Sequence, residues 1–317
     1  MEPEKIVGEG PLVDGRVLPG ASLATRVFIG DSGGLRAAWR LLIYLCLVAL
    51  GHTLINSLIR YFKLVPPGQP TPPMMLLLES SAFFLVFGCA LVMAKLEGRS
   101  AGEYGLPLRG AFGGKFWIGA LLGLVEISLL IGLIAAFGGY SFGPVVLHGA
   151  ELARWALLYL VIFLFVGFFE EFLFRGYTQF TLGDGIGFWP AAWVLSLLFG
   201  AGHLSNPGEG VVGALSVVVV GLYFAFTLKR TGNLWFAVGL HASFDWGESF
   251  LFSVPDSGLS LPGHLSSAVL HGPKWLTGGT VGPEGSMFCF LTLGLQFLMV
   301  MWLYPAKKND SAEKLAA

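Results

Sequence analysis

The chain has 317 residues, 55% of them hydrophobic and 12% charged, with a formal net charge of −1 and a mean hydropathy of +0.72. A soluble globular domain carries about 25% charged residues. Half that supply, with the apolar residues gathered in bilayer-length blocks, argues against a soluble domain, and the near-zero charge gives no electrostatic support to a nucleic-acid partner.

Residues 1–36 are polar and Gly/Pro-rich, too long and too acidic for a signal-peptide n-region. No cleavage-site pattern follows the first apolar block, which therefore reads as a retained helix. A spanning helix takes about 20 mostly apolar residues. The candidates are 37–58, 74–94, 116–137, 154–180, 187–203, 209–228, 234–252 and 286–304. Lipid offers no water to unpaired backbone groups, so such spans should be helical. The expected fold is all-α, a polytopic membrane bundle of about eight transmembrane helices over residues 37–304, the count following from span length. A polar cytoplasmic segment (1–36) and a cytoplasmic tail (305–317) flank it.

Smaller signals fit this layout. Gly119 and Gly123 form a GxxxG that predicts close helix packing. Cys46, Cys89 and Cys289 all sit in apolar stretches and read as packing residues, with no disulfide framework. The stretch 253–286 is too polar to span and reads as an irregular loop. With both termini inside, fourteen Lys and Arg fall on the cytoplasmic side and four (Arg60, Lys63, Arg154 and Lys274) on the other. That bias supports an even helix count with both termini cytoplasmic, and the expected location is a bacterial plasma membrane.

Charged groups in a bilayer core cost at least about 2.5 kcal/mol each. His52, Glu79 and Glu126, scattered over the first three helices, read as polar groups that join helices. The remainder concentrate in helices four, five and seven. Glu171 and Arg175 stand four apart on one helical face, acid before base. Glu170 points about 100° away and lacks a local cation, the setting of a general base or acid. The static alternative is that both carboxylates share Arg175. His203 ends Phe199-Gly-Ala-Gly-His203, whose small residues admit a neighbouring helix. His241 and Asp245 lie one turn apart, able to hold one metal or one water, and Glu248 continues that face. At 1.5 Å per residue, Glu170 lies about 15 Å, His241 about 10 Å, Asp245 about 16 Å and His203 about 22 Å from the cytoplasmic ends. One water-accessible cavity can collect them.

Three segments, EEFLFR (170–175), FGAGH (199–203) and HASFDW (241–246), together resemble the motifs of the CPBP intramembrane proteases. That family includes the CAAX prenyl endopeptidases and bacteriocin-processing proteins. Its pattern is EExxxR, FxxxH and HxxxN or HxxxD on three helices of an eight-helix bundle. The motif core covers about 150–252. The resemblance implies peptide-bond hydrolysis within the membrane, on a peptide or protein substrate in or near the bilayer. By the same resemblance Glu170 is the base that activates water, Glu171 with Arg175 the supporting pair, and His203 the partner that holds the water. His241 and Asp245 become either metal ligands or stabilisers of the oxyanion. An ionised Asp245 suits Zn²⁺, with His203 and His241 as the other ligands and an open fourth position. A metal-free glutamate mechanism is the alternative. A non-catalytic scaffold or immunity protein of the same fold, and a proton-coupled carrier, are the rival functions. Inverted repeats, the sign of a carrier, are absent from the sequence.

Overall fold

The computed structural model describes residues 27–30, 34–64 and 71–306, together with the backbone of two short paired strands, β1 (Leu12–Val13) and β2 (Arg16–Val17). The expectations for the rest of the N-terminal segment and for most of the C-terminal tail lie outside the described residues.

Helices dominate. They are α1 (Ala37–Tyr61), α2 (Pro72–Glu97), α3 (Gly114–Ala136), α4 (Gly149–Arg175), α5 (Tyr177–Ile186), α6 (Phe188–His203), α7 (Val211–Thr231), α8 (Trp235–Trp246), α9 (Lys274–Thr277) and α10 (Met287–Leu303). Local chemistry sets several ends. Two prolines open α2, where the missing N–H is an orphan anyway, and Gly98 closes it at φ 66°. Gly232 ends α7 at φ 79°, a conformation that favours a residue without Cβ.

Five segments are long and apolar enough to cross a bilayer: Ala37–Tyr61, Pro72–Glu97, Gly114–Ala136, the α4–α5 run Gly149–Ile186, and Val211–Thr231. The chain is therefore a multi-pass membrane protein. The three remaining expected spans fall on helices that are shorter. At 1.5 Å per residue α6 reaches about 24 Å against the roughly 30 Å of hydrocarbon, and α10 has 17 residues. The expected fourth span breaks at Gly176, where a Cβ would sit 2.4 Å from the Phe172 carbonyl oxygen. Large apolar side chains cover the outside, among them Leu50, Phe84, Leu121, Trp193, Leu215 and Trp302. An exterior of that kind faces lipid, not water.

The core is built round α8, which packs most closely on α3 and α4. Phe236, Ala237 and Val238 of α8 are completely buried. Glycines permit the approach. A Cβ on Gly119 would lie 2.1 Å from the Phe236 carbonyl oxygen, and one on Gly239 would lie 2.2 Å from that of Phe116. The GxxxG of α3 is thus a helix–helix contact, as its spacing predicted. Of the cysteines, Cys289 is buried in a core cluster and Cys46 is exposed on α1.

The stretch 253–286 is tied down. Its strand β4 (Val269–Leu270) pairs antiparallel with β3 (Tyr140–Ser141). Tyr159 of α4 donates to the carbonyls of Leu261 and Pro262 at 2.9 and 3.1 Å. At the other end of the bundle, Arg40 of α1 bridges Glu97 of α2 and Asp184 of α5 at 2.7 and 2.9 Å.

Candidate active site

A cavity of about 450 Å³ opens between α4, α6, α7 and α8 and is walled on one side by the 253–286 loop. Glu170, His203, His241 and Asp245 all line it. The motif residues from three helices therefore meet around one space.

Helix α4 delivers two carboxylates with different surroundings. Glu171 is fully buried and uses one oxygen, Oε1, for two partners: Arg175 at 3.3 Å and Nδ1 of His241 at 3.0 Å. Arg175 is itself buried, and its guanidinium lies over the Phe199 ring at 4.4 Å from the centroid. Aromatic faces attract such a cation. Gly221 of α7 makes the room, since a Cβ there would come within 2.8 Å of Arg175 Nη2 and of Ser196 Oγ. Glu170 stands apart from that network. Its side chain keeps 23% of its surface exposed, and His241 Nε2 lies 3.7 Å from its Oε2. Among the described residues it has no hydrogen-bond donor. The static alternative, two carboxylates sharing Arg175, is not what the geometry contains: the salt bridge to Arg175 is made by Glu171.

The two histidines are oriented by what their Nδ1 atoms reach. His203 Nδ1 lies 2.8 Å from the Phe199 carbonyl oxygen one turn earlier, so this nitrogen carries the hydrogen and Nε2 is left with a lone pair. His241 Nδ1 faces Glu171, and its ring stacks on Phe224 at 5.2 Å between centroids. Nε2 of His241 then lies 3.4 Å from Asp245 Oδ2.

A zinc ion on His203, His241 and Asp245 would need their ligating atoms gathered round one point. Among the described residues, the group of three whose ligating atoms all lie within 4.8 Å of one another is Glu248, Asp256 and Glu284. His203 joins no such cluster. The three residues as arranged do not fit that ion.

Several residues depart from their sequence-based roles. Glu79 and Glu126 both line the cavity, and Glu126 of α3 also joins its helix to α10 through Thr292, as expected of a polar group between helices. His52 is exposed on α1 and bonds Asn56 of its own helix at 2.8 Å. Glu248 leaves the His241 face because the backbone after Trp246 widens into a π-helical turn, Gly247–Leu251. Sequence reasoning missed Asp256 and Glu284, both cavity-lining loop residues. Burial pushes the Asp256 carboxyl up to about 7 and that of Glu284 up to about 8. No sequence signal marks them, because acids in a polar loop are ordinarily solvated.

Residues 152–247 match the family described as type II CAAX prenyl endopeptidase Rce1-like. This stretch, which carries the three motifs, is similar to that family. The matched segment contains all six motif residues from Glu170 to Asp245, so the resemblance carried by three short motifs extends over the helices that present them. No curated protein matches the chain. The matched segment coincides with α4 to α8, which supply most of the cavity lining, and the match is to a family of proteases.

Proposed function

We propose that the chain is an intramembrane endopeptidase in which Glu170 activates a water molecule. One observation carries this reading. Of two adjacent glutamates, Glu171 is fully buried behind the cavity wall and held through Oε1 by Arg175 and His241, whereas Glu170 lines the cavity with no hydrogen bond among the described residues. A general base must be free to reach the proton it takes.

In this reading the lone pair on His203 Nε2 accepts a hydrogen from the water and holds it beside Glu170. Glu170 removes the other water proton as the oxygen adds to the scissile carbonyl carbon. The tetrahedral oxyanion accepts from the Nε2–H of a doubly protonated His241, whose Nδ1–H is held by Glu171 and whose charge Asp245 and Glu171 balance from two sides. Collapse breaks the C–N bond, and the amine leaves with the proton from Glu170. Donors fixed in advance on a developing oxyanion are worth about 10²–10³ in rate. The substrate is a membrane-associated peptide, consistent with the Rce1-like match. The bundle has eight spans with both termini cytoplasmic, and the three short helices cross where the protein thins or shields the bilayer.

The test is Glu170→Gln, assayed for cleavage of membrane-anchored peptides in proteoliposomes. The isosteric amide should leave the fold intact and lower the rate by about 10²–10⁴. Activity within a few-fold of the parent would remove Glu170 from this role.

A further inference from the structure

Beyond the motif residues, the cavity reaches Asp256 and Glu284, and Glu248 lies buried beside them. Glu248 comes from the π-helical turn after α8, Asp256 from the start of the loop, and Glu284 from its end. One carboxylate oxygen of each lies within 4.8 Å of the other two. Ser249 donates to Asp256 at 3.1 Å, and the Ser257 amide and hydroxyl donate to Glu284 at 2.8 and 2.9 Å. Glu248 has no such support. It is completely buried, and neither of its oxygens has a hydrogen-bond partner. A buried carboxylate with no partner costs several kcal/mol, and none of the ion pairs among the described residues reaches the three acids.

We propose that Glu248, Asp256 and Glu284 bind one hard divalent cation of calcium size, at a site separate from the Glu170–His241 centre. All three donors are oxygens, the set that selects Ca²⁺, Mg²⁺ or Mn²⁺ over softer ions. Two oxygens on one Ca²⁺ at 2.3–2.6 Å stand at most about 5.2 Å apart, so the observed spread fits. A main-chain oxygen adjoins them. The point a Gly282 Cβ would occupy is 2.2 Å from the Pro255 carbonyl oxygen and 2.8 Å from Glu248 Oε1, and Gly282 itself has φ 128°. Only a residue without a side chain leaves that space open. The ion would pin both ends of the 253–286 loop to α8, and so fix the wall of the catalytic cavity. The competing account is a proton shared between two of the carboxyls, which satisfies two acids and leaves the third.

This inference does not depend on the peptidase reading, because binding is measured without substrate. The full chain in detergent is stripped with chelator and titrated separately with Ca²⁺, Mg²⁺, Mn²⁺ and Zn²⁺, following bound metal by equilibrium dialysis and the melting midpoint. One Ca²⁺ per chain is expected, with a rise in midpoint that grows with Ca²⁺ concentration. Glu284→Gln should weaken binding at least tenfold, Glu248→Gln should abolish it, and His203→Ala should leave it unchanged. Absence of divalent-ion binding by the parent chain would overturn the proposal in favour of shared protons. So would parent-like affinity in Glu284→Gln, or a stoichiometric metal lost from His203→Ala and kept by Glu284→Gln.

Discussion

A single oxygen of Glu171 joins α4 to α8 by accepting from His241 Nδ1 at 3.0 Å. Arg175 shares that oxygen at 3.3 Å, so an anion, a cation and an imidazole form one buried chain. The arrangement aims His241 Nε2 into the cavity and keeps Glu171 out of the chemistry. It also means that loss of either charge exposes the other to the low-dielectric interior.

Arg175→Ala should therefore destabilise the protein by about 3–5 kcal/mol, as when other buried pairs lose one partner. The measurement is a detergent melt beside expression yield. A parent-like midpoint would show that Glu171 does not depend on this guanidinium.

Asp245→Asn separates the metal-free mechanism from a zinc mechanism. If Asp245 only orients His241, the neutral amide keeps a polar partner near 3.4 Å and activity stays within about tenfold. If it ligates Zn²⁺, bound zinc and activity fall together, because an amide oxygen is a poor ligand for that ion. Zinc content measured with cleavage rate decides, and the geometry favours retained activity without stoichiometric zinc.

For His203 the expectation is a loss of rate without a loss of stability. Its one hydrogen bond among the described residues is to the Phe199 carbonyl of its own helix, and it lines the cavity. His203→Ala should lower cleavage by about 10²-fold or more, on the scale of general acid–base contributions, while the melting midpoint moves little. A parent-like rate would remove it from the water site.

Gly123→Ala tests how tightly the site depends on helix packing. The new Cβ would come 2.2 Å from the Leu240 carbonyl oxygen and 2.2 Å from Ser243 Oγ, directly beside His241. Overpacking of this sort costs about 1–3 kcal/mol, and the displaced α8 should slow cleavage as well. Gly132→Ala on the same helix meets nothing within 4 Å and should be neutral. Equal midpoints for the two variants would contradict the close α3–α8 approach.

Length and hydropathy in the sequence sufficed to establish a multi-pass helical membrane protein, because the bilayer leaves an apolar block no other way to satisfy its backbone. The i,i+4 spacing likewise made the Glu171–Arg175 pair and the His241–Asp245 pair legible, since both are set by the pitch of one helix. Three matters depended on tertiary structure. Which glutamate stays free was decided by His241, seventy residues away, reaching Glu171. The break at Gly176 and the shortness of α6 and α8 appear only in the folded chain, since a hydropathy window averages over them. Above all, Asp256 and Glu284 lie in a polar loop where acids are unremarkable, and they become significant only because the folded loop brings them to Glu248. Local periodicity records what one helix does to its own side chains; it carries no information about which distant segment closes over them.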